Sequence, residues 1–196
     1  MNTSFRLFIF AVIALAAVIL FNLLVNRGFK KFQLSKALLW VSAVAMIGVL
    51  GEIFVDTIYN HFFHTPLWRY NFLPVHHAYT SEFAPVLWGT FGFFLYLTHH
   101  KYERWSPREL VNSSIIFGLE ALVIEALADL VSKVVLGNYI FYYYPNGLWH
   151  ISAFQNFPFY FLCGALITET IHWFKNSPNY FIVMSSWVTI ITIYFR

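Results

Sequence analysis

LLWVSAVAMIGVLGEIFVDTIY, residues 38–59, runs for 22 residues with charge only at Glu52 and Asp56. A bilayer core of about 30 Å takes about 20 apolar residues of helix, so this stretch predicts a membrane-spanning helix that carries two acids. Five more apolar stretches flank it: Phe8–Val25, Phe83–Thr98, Leu110–Leu136, Phe157–Trp173 and Tyr180–Tyr194. The chain of 196 residues is 59% apolar and 11% charged, with a mean hydropathy of +0.63. That is more apolar surface than one soluble core hides. Lipid forces backbone groups to pair internally, and no strand alternation suggests a barrel, so helices are expected. The predicted fold is all-α: one polytopic membrane domain, 1–196, with six transmembrane helices.

Six residues recur in order at a spacing of 73. Glu52, Asp56, Tyr70, His77, Pro85 and His99 return as Glu125, Asp129, Tyr143, His150, Pro158 and His172. The matches fall largely on Glu, Asp and His, although charged residues are scarce here. Internal repetition at this scale sets architecture. It predicts two helical hairpins of like orientation, roughly 37–100 and 110–173, related by an axis along the membrane normal. The first and sixth helices flank them.

Basic residues orient the chain. Arg27, Lys30, Lys31 and Lys36 lie in the first connection, Lys101, Arg104 and Arg108 in the third, and Lys175 in the fifth. These three connections share a face and hold eight of the twelve Lys and Arg, so that face is expected to be cytoplasmic and both termini non-cytoplasmic. This bias accounts for the net charge of +3, and no nucleic-acid partner is read from it. The first span lacks a convincing small-x-small cleavage site, so a retained helix is expected. The single Cys163 makes no intrachain disulfide.

Each hairpin has an aromatic outer connection of about twenty residues: HFFHTPLWRYNFLPVHHAYT (61–80) and NYIFYYYPNGLWHISAFQN (138–156). Loops this long in a compact domain are usually functional or structured. Glu52 and Asp56, four apart, share a helix face, as do Glu125 and Asp129. Ionisable groups at membrane depth are costly and mark function by default, although a polar seam between helices gives the same pattern. Burial disfavours a carboxylate's charged form, so one of these acids is expected to serve as a proton donor. His61, His64, His76, His77 and His150 fall on the same side and, with the acids, form the candidate metal-ligand set. Their spacing matches no diagnostic metal motif, and no other cofactor is predicted.

From Asp56 onward the chain reads PLWRYN, LP and TSEFAPVLW, with Asp56, Trp68, Tyr70 and Glu82 in sequence. The second hairpin echoes this with Asp129, Tyr142 and Gln155. The stretch resembles the integral-membrane lycopene (carotenoid) cyclase domain, over roughly 35 residues per hairpin. Thr80-Ser81-Glu82 replaces that family's Pro-x-Glu-Glu. The resemblance implies protonation of a polyene double bond by a buried acid, with aromatic rings around the resulting cation.

The expected activity is therefore a membrane-embedded enzyme acting on an isoprenoid or other lipid by carboxylic-acid proton transfer, of cyclase, isomerase or hydratase type. Glu52, Asp56, Glu125, Asp129 and Glu82 are the candidate acids, with His77 and His150 as proton relays. Trp68, Tyr70, Tyr143 and Trp149 are the candidate lining. A small proton-coupled transporter is the alternative built on the repeat. A metal-dependent lipid hydrolase or oxidase is the one built on the histidines, and a scaffold with replaceable acids is the reading without chemistry.

Overall fold

The computed structural model describes residues 2–26, 32–99, 106–145 and 148–195. Among these, six α-helices hold most of the chain: α1 Thr3–Asn26, α2 Leu34–Phe63, α3 Ala84–His99, α4 Pro107–Val135, α5 Phe157–Phe174 and α6 Pro178–Tyr194. Each stretch expected to span the membrane falls on one of them. Local signals set their ends. Ser106 caps α4 by accepting the Glu109 N–H at 3.2 Å, with Pro107 in the first turn, as a Ser-x-x-Glu capping sequence should. His64 closes α2 in the left-handed region (φ 55°).

By length and apolar composition, Thr3–Val25 and Leu34–Phe63 are long enough to cross a membrane, and the shorter Ala84–Thr98 is apolar. The basic residues Arg27, Lys30, Lys31, Lys101 and Arg104, on which the orientation rests, lie outside the described residues, as does the side chain of His99.

The all-α expectation needs one correction. The two long connections contain four short strands: β1 Trp68–Tyr70, β2 Pro74–Val75, β3 Thr80–Ser81 and β4 Phe141–Tyr143. β2 pairs with β3, and β1 with β4, both antiparallel. The reason is burial. Leu67, Trp68, Tyr70, Ile140 and Tyr143 are all sunk among the helices, where backbone N–H and C=O groups must pair with something. The first connection pairs with itself through β2 and β3, and with the second connection through β1 and β4. Arg69 stands opposite Tyr142, flanked by Trp68 opposite Tyr143 and Tyr70 opposite Phe141. Arg69 and Tyr142 are themselves 73 apart, so an axis through that pair exchanges the strands.

α2 is central, packing on α3, α5 and α6, while α4 packs on α5 and α1 on both α3 and α4. Glycine sets how closely α3 approaches α2 and α5 approaches α4. A Cβ on Gly92 of α3 would lie 2.7 Å from the Trp40 carbonyl oxygen and 3.0 Å from Val41 Cα on α2. A Cβ on Gly164 of α5 would lie 2.9 Å from Phe117 Cβ and 3.0 Å from Ser114 Cα on α4. Ser114 is 73 beyond Val41, but Gly164 is only 72 beyond Gly92. The corresponding contact thus shifts by one residue after the long connection.

Alanine at Gly92 or Gly164 has no room to fit. Gly92→Ala and Gly164→Ala should each cost about 1–3 kcal/mol of stability, the usual range for overpacking, when unfolding is followed by circular dichroism. Gly89→Ala, whose new Cβ meets only the Val41 side chain at 3.3 Å, should cost clearly less.

Candidate active site

Two glutamates 73 residues apart, Glu52 and Glu125, face one cavity. Glu52 on α2 and Glu125 on α4 both line a cavity of about 20 Å³ together with Trp68, Tyr70, Trp88, Tyr143 and Tyr160. That volume holds about one water molecule.

Each carboxyl is held by three neutral donors. Glu52 Oε1 accepts from the Tyr70 hydroxyl and, at 2.8 Å, from the Trp88 indole N–H, and Oε2 accepts from the Thr80 hydroxyl. Glu125 Oε1 accepts from the hydroxyls of Tyr143 and Tyr160, and Oε2 accepts from Ser152 at 2.6 Å. Among the described residues no cation hydrogen-bonds to either glutamate. Burial, then the charge of Glu52, holds the Tyr70 phenol well above the usual tyrosine range. Burial and Glu125 do the same for Tyr143. Both phenols therefore stay protonated and act as donors.

The local sequence explains this placement. A helical acid pair four apart presents both carboxyls along one face, and the two members do different work. The first reaches the cavity. The second, one turn nearer the connection, ties that connection down. Asp56 Oδ1 accepts the Leu67 N–H, while Asp129 Oδ1 accepts the N–H groups of Ile140 (2.7 Å) and Phe141 (3.3 Å). Leu67 and Ile140 are 73 apart, as are Asp56 and Asp129. The tether sets the register that carries Tyr70 back to Glu52 and Tyr143 back to Glu125. Asp56 and Asp129 are fully buried, and neither lines the cavity. The Oδ2 atom of each is buried without a hydrogen-bond partner.

Of the expected site residues, the structure thus brings together Glu52, Glu125, Trp68, Tyr70 and Tyr143. The others lie elsewhere. Glu82 and His77 are exposed, and Trp149 is 81% exposed. His150 stacks on the Tyr142 ring at 4.6 Å, its Nδ1 2.6 Å from the Tyr143 carbonyl oxygen. His76 Nε2 lies 2.5 Å from the Thr192 carbonyl oxygen, and His61 and His64 are exposed at the end of α2. Among the described residues no three His, Cys, Asp or Glu side chains are grouped to hold a metal ion.

Thr80, Trp88, Ser152, Asn156 and Tyr160 were not singled out from the sequence. A signal existed for four of them. Thr80 and Ser152 do the same job 72 residues apart, and so do Trp88 and Tyr160. A fixed spacing of 73 hides both pairs. Comparison with family models, with curated proteins and with solved structures found no match for this chain.

Removing a tether leaves buried N–H groups unpaired. Asp56→Ala and Asp129→Ala should each lower stability by about 1–3 kcal/mol and speed proteolysis within 61–80 and 138–156. Asn at either position keeps an acceptor oxygen and should cost less in the same unfolding assay.

Proposed function

We propose that this chain is a membrane-embedded enzyme that acts on an isoprenoid or other unsaturated lipid by proton transfer, with Glu52 and Glu125 as its acid–base pair. One observation carries the proposal: carboxyls from both halves meet at one aromatic cavity, with only neutral donors around them. Two like-charged groups sharing a site without a cation disfavour double ionisation, so the pair is suited to holding a proton between them. A carboxylic acid that donates this proton to a carbon–carbon double bond generates a carbocation. The faces of Trp68, Tyr70, Trp88, Tyr143 and Tyr160 supply electron-rich surface for it.

In the proposed topology all six helices cross the bilayer as two duplicated hairpins plus two flanking helices, with both termini on the non-cytoplasmic side. Support comes from the outer surface. α4 carries Glu125 and Asp129, yet its outward stripe is Val111, Ile115, Leu119, Val123, Leu127, Leu130 and Val134, every one exposed. α6 exposes Tyr180, Val183, Trp187, Ile190, Ile191 and Tyr194. Soluble monomers rarely show apolar stripes this long, and lipid covers them at no cost. The lipid also brings the substrate. The enclosed space is too small for it, and the Trp88 indole sits where a Cβ on Gly48 would come within 2.2 Å. Movement of Trp88 off Gly48 is the proposed route by which a lipid double bond reaches the acids.

The test is isotopic. Protein in phosphatidylcholine vesicles, given linear isoprenoid alkenes in D2O, should place deuterium on lipid carbon. Glu52→Gln and Glu125→Gln should each reduce that incorporation at least about 100-fold, the low end of what a general acid contributes, while unfolding temperature stays close to that of the parent. Full incorporation by both variants would remove the acid assignment.

A further inference from the structure

Building on the acid–base proposal, we infer that the cavity between Glu52 and Glu125 binds one water molecule, and that this water is the second reactant, so that the enzyme hydrates its alkene. The donors around the cavity are already committed. Tyr70, Trp88 and Thr80 give their protons to Glu52, and Tyr143, Tyr160 and Ser152 give theirs to Glu125. Asn156, 1% exposed, also lines the cavity. Its Nδ2 donates to the hydroxyls of Tyr143 and, at 3.3 Å, Tyr160. Its Oδ1 is buried with no partner. Apart from the Cys163 thiol, a weak donor, what remains around the space is acceptors: Asn156 Oδ1 and the spare lone pairs of the glutamates. A buried acceptor without a partner calls for a donor. The volume of about 20 Å³ exceeds the ~10–15 Å³ that one water needs. Water supplies two O–H groups, one for Asn156 Oδ1 and one for a glutamate oxygen.

A water held beside the acid determines the fate of a carbocation. Cyclisation needs the cation kept dry, whereas here the nearest nucleophile is the water oxygen. In the proposed sequence, one glutamic acid gives its proton to one alkene carbon, and the π electrons form the new C–H bond. The neighbouring carbon becomes the cation, and a water lone pair forms the C–O bond. The oxonium then loses a proton to the second glutamate. One water is consumed, the alkene gains H and OH, and no electrons are gained or lost overall. Asn156 bonds to the same tyrosines as Glu125, so its water lies on the Glu125 side. This makes Glu125 the base and Glu52 the acid. In the other half, the residue 72 before Asn156 is Ala84, which has no side-chain oxygen to hold a second water.

Two labels separate this inference from the proposal beneath it. Vesicles containing the protein and either squalene or geranylgeraniol are incubated in D2O or in ¹⁸O-water, and the lipids are analysed by mass spectrometry. The parent protein should place deuterium on carbon and ¹⁸O in a new hydroxyl. Asn156→Leu should lose at least tenfold more ¹⁸O incorporation than deuterium incorporation, a split that a general loss of structure does not give. Deuterium without ¹⁸O in the parent protein would overturn the hydration while leaving the acid pair standing. Equal loss of both labels in Asn156→Leu would overturn the role of Asn156. Neither label in the parent protein would overturn the hydration and the acid pair together.

Discussion

Everything at the centre of this protein depends on holding two long connections inside a bundle of apolar helices. A buried loop is unfavourable because its N–H and C=O groups lose water. Here an aspartate on the preceding helix accepts the first buried N–H, the two loops pair with each other through β1 and β4, and a tyrosine hydroxyl from each reaches a glutamate one turn deeper. Each connection is pinned at one end by Asp56 or Asp129 and at the other by Glu52 or Glu125. Because the pins are one turn apart, the same helix face that buries the loop also presents an acid to the cavity. Structural and chemical demands are met by neighbouring side chains on one stripe.

This division of labour sets how much was legible in the sequence. The six helices could be read from apolar run length, and the acid pairs from their recurrence, because both signals are local. Which acid faces the cavity could not be read, since Glu52 and Asp56 share a face and differ only in what arrives from the loop. The strands were hidden for a similar reason: pairings of two or three residues, one within a connection and one made only where the two connections meet, are too short to show alternation. The spacing misled in a specific way. The value of 73 holds from α2 to β4, where Val41 corresponds to Ser114 and Arg69 to Tyr142, and then falls to 72, where Gly92 corresponds to Gly164. His77 and His150 match at 73 but occupy different places. His77 is the middle residue of the turn His76–Ala78, and the middle residue of the corresponding turn, Leu148–His150, is Trp149. Identities past the one-residue step pointed to the histidines, while the residues that hold the glutamates stood one place away.

The small step also shows how two similar halves come to differ where they face the same cavity. Trp88 and Tyr160 both donate to a glutamate Oε1. The larger ring fits only because α2 has Gly48 beneath it, and the residue 73 further on is Ala121, which shares a core cluster with the smaller Tyr160. The larger ring thus stands over a glycine, and the smaller one shares its cluster with an alanine at the corresponding helix position.

A departure from symmetry is also what would give the proposed reaction its direction. Two identical acid sites facing one space have no reason to take opposite roles. A single polar side chain on one side supplies that reason. Asn156 sits against Tyr143 and Tyr160 on the Glu125 side, and the residue 72 before it, Ala84, belongs to a buried apolar cluster. Ala84 is fully buried and offers nothing to a polar occupant. In the proposed reaction a small donor in the space is drawn toward Glu125, and the proton shared by the carboxyls is left to Glu52. On the proposed chemistry, an acid and a base follow from two similarly held glutamates, because one side-chain amide oxygen is present beside one and absent from the corresponding position of the other.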